Sequence, residues 1–279
     1  MVTYLPSTWA LVVLIVKPRY ECGSQCGCDW FELCMWYVFA LSTNTNANSL
    51  PPSLLGYLWP LCGINFWFPK LGESPPRSMD DSTLKDDINA MNKVLRERSD
   101  DSILNMPQTN NKKIVILHRL YSDLVDVLHF TKPDLVSSVY HRMMEISLKN
   151  GITPTASISF SCYGEMLASS MKKIEEGCRL GRLAIKLVEK NASSLKYKPR
   201  VVLGCNQTIF WYTKPLQAIA EAHFQGYTVG QQLGDFLYSS WNQFFSITTN
   251  YLAGQNLCTI QSACKDYVMK RLSEKQQNL

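Results

Sequence analysis

The sequence has no phosphate loop of the GxxxxGK[ST] form and no HExxH pair. It also has no unbroken apolar run of membrane-spanning length and no strong excess of either charge. Each absence excludes something. A net charge of +5 over 279 residues is too mild to mark nucleic acid or an anionic membrane surface as the defining partner. The first apolar run, Trp9 to Val16, stops at Lys17, Pro18 and Arg19, and the second, Trp30 to Leu41, carries Glu32. A spanning helix needs about 20 apolar residues, so neither run qualifies. After Met1, no basic residue precedes the first run, so a secretory signal is not expected either. The expected location is the cytoplasm.

The residues that could carry chemistry are scattered. Gly177-Cys178-Arg179-Leu180-Gly181-Arg182 combines glycines and arginines but lies inside a helical period, not between a strand and a helix. The four histidines, His118, His129, His141 and His223, are far apart and share no metal-ligand spacing with cysteine. Cys22, Cys26, Cys28 and Cys34 form the one dense thiol cluster, with spacing too irregular for a pair of zinc knuckles. The adjacent carboxylates Asp80-Asp81, Asp86-Asp87, Asp100-Asp101 and Glu175-Glu176 diverge on a helix, which suits solvated faces and helix N-termini. No nucleophile stands beside a base. The chain is therefore expected to hold no cofactor, no metal and no active site of its own.

What is present is helical periodicity. Residues 1–80 are rich in Trp, Cys and Pro without a sustained period and form a poorly organised N-terminal segment; residues 81–279 form a second, helical region. Leu84, Ile88, Met91 and Leu95 mark one helix face, and Ile114, Leu117, Leu120, Leu124 and Leu128 the next, with a loop between them through Asp100-Asp101-Ser102 and Met106-Pro107. Thr131-Lys132-Pro133, Thr153-Pro154 and Thr213-Lys214-Pro215 read as helix starts with a Thr cap and an early Pro. Gly151, Gly234 and Gly254 read as stops. The spacing predicts some nine helices joined by short links and no strand. Short links make neighbours antiparallel, so the expected fold is all-α: antiparallel helix pairs stacked as a tetratricopeptide-like α-solenoid.

Small residues point the same way. Gly164, Gly177, Gly181 and Ala184 fall where two helices of a pair could touch, and Ala218, Ala222, Gly226 and Gly230 recur every four residues on another helix. Glycine costs roughly 1 kcal/mol in a helix interior, so a close helix approach is expected to offset it. The cysteines beyond residue 160 are expected to act as small apolar core groups in a reducing compartment. The aromatics gather in the last third. Core packing explains most of them, and a peptide-binding groove is the functional reading, with Trp211, Tyr212, Tyr238, Trp241 and Phe244 as candidate partner-binding residues.

From Met106-Pro107 to Gly254 the sequence resembles the tetratricopeptide-like middle region of very large signal-transduction ATPases. These carry a protein-kinase-like domain, a STAND-like AAA ATPase, the helical region, and often a GAF domain with a histidine kinase or nucleotide cyclase output. The matching landmarks are Pro133 and Leu135, Tyr163-Gly164, Gly177 with Leu180-Gly181, Trp211 with Pro215-Leu216, and Gly226, Gly230, Gly234-Asp235 and Gly254. None of the family's catalytic motifs has a position here. The resemblance implies a non-catalytic interaction or regulatory module of a signalling protein, which binds a protein partner or a neighbouring domain. The alternative it leaves is a fragment of an active ATP-dependent kinase, ATPase or cyclase whose catalytic domains lie elsewhere.

Overall fold

The computed structural model describes residues 72–74, 76–78 and 82–277. The thiol cluster Cys22 to Cys34 and both apolar runs lie outside them. The described residues form an all-α bundle in which helices pack on their sequence neighbours. The helices are α1 (Ser82–Glu97), α2 (Asp100–Leu104), α3 (Lys112–Thr131), α4 (Val136–Asn150), α5 (Ala156–Glu165), α6 (Ile174–Lys190), α7 (Lys198–Gly204), α8 (Leu216–Leu233), α9 (Phe236–Leu252) and α10 (Leu257–Gln277). The one non-helical pairing among the described residues is a bridge between Gln108 and Ile152.

The centre is α5. Every residue from Ala156 to Gly164 is buried, with α4, α6 and α7 packed around it. Its large side chains, Phe160 and Tyr163, are fully enclosed; burial of each contributes about 1.5–3 kcal/mol. Between these and the buried Ile158 and Cys162, its surface is small: Ala156, Ser157, Ser159, Ser161 and Gly164. Small side chains let the neighbouring helices come close. A Cβ on Gly177 of α6 would lie 2.7 Å from the carbonyl oxygen of Gly164. The glycines of the second expected set act likewise between α8 and α9. There a Cβ on Gly230 would lie 2.6 Å from Ser239 Cβ, and one on Gly226 would lie 2.6 Å from Asn242 Oδ1. Ser246 on α9 donates to the carbonyl of Ala220 on α8 at 3.0 Å. The pairing thus descends α8 as it ascends α9, so these two are antiparallel. Ala218, one end of the four-residue series, is exposed instead.

The expected stops hold. Gly234 is left-handed (φ 71°, ψ 17°), with the Asp235 N–H donating to Gly230 O at 2.9 Å, the closing bond of a Schellman turn. Asp235 then caps α9 by accepting from the Tyr238 N–H at 3.1 Å. Gly151 has φ 90° and ψ 179°, a region open only to glycine. The residues after it bond to the 107–109 loop, with Ile152 N–H donating to Pro107 O at 2.8 Å.

The expected Thr caps do not hold. Thr131 ends α3 rather than starting α4, and Pro133 opens a 3-10 turn that leads into α4. The Thr153 hydroxyl lies 2.5 Å from His118 Nδ1 instead of capping α5. The Thr213 hydroxyl donates back to Phe210 O at 3.5 Å, and Pro215 takes the cap position of α8. In the last two cases a partner elsewhere holds the hydroxyl. The loop expected at Asp100-Asp101-Ser102 is the short helix α2, because Ser99 accepts from the Ser102 N–H and two acids occupy its first turn.

Two helices loosen at their C-termini. α5 runs into a π-helical turn, Met166–Ser170, and α7 into another, Cys205–Ile209. The two turns pack together. After the first, Lys172 adopts φ 59°, the one positive φ at a non-glycine among the described residues.

Candidate functional site

Five helices meet at a polar junction. α3 presents Ser122, Asp126 and His129 along one side, at helical spacing. α7 begins with Pro199 in its first turn, so its next residue, Arg200, points at that side. Arg200 donates to Ser122 Oγ at 2.9 Å, to Ser122 O at 2.7 Å and to Asp126 Oδ1 at 2.8 Å. Its side chain is only 10% exposed. From α9, Tyr238 donates to the other oxygen of Asp126 at 2.6 Å, and its ring faces the Arg200 guanidinium at 5.2 Å. Asn242, one turn on, donates to Pro199 O at 2.8 Å and fixes α9 against the start of α7. Tyr238, expected as a partner-binding aromatic, is thus held within the junction.

Beside this ion pair sits a second group. Tyr140 of α4 is buried. Its hydroxyl donates to Glu165 Oε2 at 3.2 Å and lies 2.8 Å from His129 Nε2. Burial raises the Glu165 carboxyl above its usual range, while His129 and Tyr140 pull it back. Burial likewise raises the Tyr140 hydroxyl and the adjoining Cys162 thiol, so Cys162 is a poor nucleophile.

The other histidines are interior residues. His118 is buried in α3 with both nitrogens used, 2.5 Å from Thr153 Oγ1 and 2.5 Å from Ser159 Oγ, and burial lowers its pKa to about 3. His223 on α8 meets Asn242 Oδ1 at 3.0 Å, and burial lowers its pKa to about 4. Sequence spacing gave no hint of these pairings, because each partner comes from another helix or from a loop.

A groove of about 780 Å³ lies between α1 and α4, walled also by Glu73, Ser74, Pro76 and Arg77. Its charges are largely matched to one another. Glu73, with 8% side-chain exposure, accepts two bonds from Arg142, both at 2.7 Å, and one from Tyr121 at 2.9 Å. Arg77 bonds Asp87 at 2.6 Å, and Glu145 takes Arg142 at 2.6 Å and Lys149 at 2.5 Å. This is a clamp that holds the chain before α1 onto α3 and α4.

The remaining expected aromatics divide. Trp241 and Phe244 of α9 meet edge-on at 6.1 Å and pack with Phe245; Phe244 also meets Tyr267 of α10 at 6.3 Å. Trp211 and Tyr212 are exposed on the 3-10 turn that follows α7. The arrangement of α9 is inverted relative to an ordinary amphipathic helix: its buried residues are Ser239, Asn242, Ser246 and Thr249. Its apolar Phe236 and Leu237 are exposed, as is Phe224 on α8. α9 has no charged residue. Of the later cysteines, Cys162, Cys178 and Cys205 are buried thiols, whereas Cys258 is exposed and Cys264 half-buried. Among the described residues no group of His, Cys, Asp and Glu could hold a metal ion, and no helix is long and apolar enough to cross a membrane.

No family model, curated protein or solved structure matches this chain.

Proposed function

We propose that the helices form a tetratricopeptide-like interaction module of a signalling protein, which binds a helical or extended segment of a protein partner across α8 and α9. The observation that carries this reading is the inversion of α9. Its buried residues are small and polar, and its apolar Phe236 and Leu237 are left exposed. Aromatic enrichment with no charge is the composition of the centre of a protein interface. Phe236 at 58% and Phe224 at 52% exposure are the anchors, with Trp211 and Tyr212 as a separate aromatic pair. The link to signalling ATPases rests on the sequence resemblance alone; Gly164, Gly177, Gly226 and Gly230 sit at helix-pair contacts, which supports the helix-pair packing.

Peptide display selection against the full chain tests this. Selected amphipathic peptides should lose binding to a Phe224→Ser, Phe236→Ser, Leu237→Ser triple variant with an unchanged melting temperature. They should keep binding to Ile116→Ser, which alters an exposed apolar residue on α3. Peptides that bind the triple variant as well as the parent would sink the assignment of the face.

A further inference from the structure

The ion pair of the junction is closed on itself, because Asp126 is held by Arg200 and Tyr238. The Glu165 group is not. It runs from a half-buried carboxyl, through a buried hydroxyl, to an exposed imidazole. Tyr140 has one proton to give. When Glu165 is ionised it can only accept, so Tyr140 donates to it. The Tyr140 oxygen is then free to accept, and His129 Nε2 must carry the hydrogen. The bond directions and the imidazole tautomer are therefore tied to the charge on Glu165.

We infer that His129, Tyr140 and Glu165 form a proton relay through which the surface of α3 reads and sets the protonation of the carboxyl at the end of α5. In the uptake step, a hydronium ion gives a proton to His129 Nδ1 and departs as water. The Nε2 proton moves to the Tyr140 oxygen, and the Tyr140 hydroxyl proton moves to Glu165 Oε2. The net change is one proton gained by Glu165. Tyr140 is again a neutral phenol, and His129 is again neutral but now carries its hydrogen on Nδ1. Both hydrogen bonds have reversed direction, with Glu165 donating to Tyr140 and Tyr140 donating to His129.

The surroundings favour such a shuttle. The charged and titratable groups that face the relay are His129 and Asp126 from α3, Tyr140 from α4, Cys162 from α5, Arg200 from α7 with Cys205 from its π turn, and Tyr238 from α9. Asp126 answers Arg200 directly, so Glu165 has no cation of its own besides a protonated His129. Burial raises its pKa, which favours the protonated carboxyl, while His129 and the Tyr140 hydrogen bond oppose that rise. Glu165 is also the last α-helical residue before the π turn, and its carbonyl accepts from Ser169 Oγ at 2.6 Å. The relay thus ends at the point where α5 changes its winding.

Nitrogen NMR of the full chain labelled at histidine reads the relay directly, with His129 assigned by His129→Gln. As Glu165 takes up its proton, the hydrogen-bearing nitrogen of the neutral His129 ring should change from Nε2 to Nδ1. Glu165→Gln, which cannot ionise, should remove the pH-dependent exchange. Tyr140→Phe should leave His129 with the mixed tautomers of a lone imidazole. The wild-type spectrum decides even if a variant does not fold: a hydrogen that stays on Nε2 until the ring becomes a simple imidazolium would overturn the relay. So would an identical exchange in Glu165→Gln.

Discussion

The backbones of Gly164 and Gly177 touch. A Cβ added to either would approach the other's carbonyl oxygen, at 3.0 Å from Gly164 and 2.7 Å from Gly177. Ala168 also crowds the second position, with its Cβ 2.8 Å away. Overpacking at such a contact costs about 1–3 kcal/mol, because backbone cannot swing aside as a side chain can. Gly177→Ala should therefore lower stability by about 3 kcal/mol. Gly234→Ala, in open space but with positive φ, should cost only about 1 kcal/mol. Urea midpoints of the two variants test the order; equal losses would mean that the α5–α6 contact is looser than described.

The buried histidines make stability depend on pH with a definite sign. His118, His141 and His223 all have pKa values lowered by burial, so each binds its proton more readily when unfolded. Their contribution is complete above about pH 6.5, the unfolded value. It falls away as pH drops through the window toward the folded values of about 4 for His223 and about 3 for His118. The urea midpoint should fall between pH 7 and pH 5. In His118→Asn the slope over that window should be shallower by one proton, with a lower stability at pH 7 because Thr153 and Ser159 lose a partner. An unchanged slope would place His118 in water.

Arg200 is not replaceable by lysine. It gives bonds to Ser122 Oγ, Ser122 O and Asp126 at once, and an ammonium on a flexible stem cannot match that fork. Arg200→Ala leaves Asp126 and Tyr238 without their cation and should cost about 3 kcal/mol, since breaking one side of an enclosed pair strands the other. Asp126 is 38% exposed, and water there keeps the loss at the lower end of that class. Arg200→Lys should recover less than half, as read by thermal melting.

Lys172 offers a stabilising change. A side chain in the left-handed region costs about 1–2 kcal/mol. Glycine removes that strain but adds freedom to the unfolded chain. Lys172→Gly should leave a net gain of about 0.5 kcal/mol, and a loss would show that the Lys172 side chain contributes more than the strain removes.

The legible parts of this chain were those with a local cause. Leu84, Ile88 and Leu95 declared their face by spacing, and all are buried in α1. Gly151, Gly234 and Gly254 stop helices because positive φ is a property of one residue. The glycines at helix contacts were also readable, because repeated glycine within a helical period needs a compensating neighbour. The threonine caps misled because a hydroxyl competes for distant partners that spacing does not reveal, as Thr153 does with His118. The polar junction was illegible for the same reason. Arg200, Asp126 and Tyr238 lie on three helices separated by long stretches of sequence. The expected aromatic group was found in pieces, with Tyr238 drawn into that junction and Trp211 and Tyr212 placed on a different turn from Trp241 and Phe244.

The hydrogen-bonded packing of α8 on α9 has a thermal consequence. Much of the contact is made by Gly226, Gly230, Ser239, Asn242 and Ser246, with Phe245 on His223 beside them, so opening it exposes less apolar surface than opening the α5 core. Heat-capacity change scales with that surface. The α8–α9 pair should separate with a small heat-capacity change, whereas opening around Phe160 and Tyr163 of α5 should carry a large one. Cooling weakens apolar packing and leaves hydrogen-bonded contacts in place. The polar contact of α8 with α9 is therefore built to keep its geometry in the cold, as the centre loses its margin.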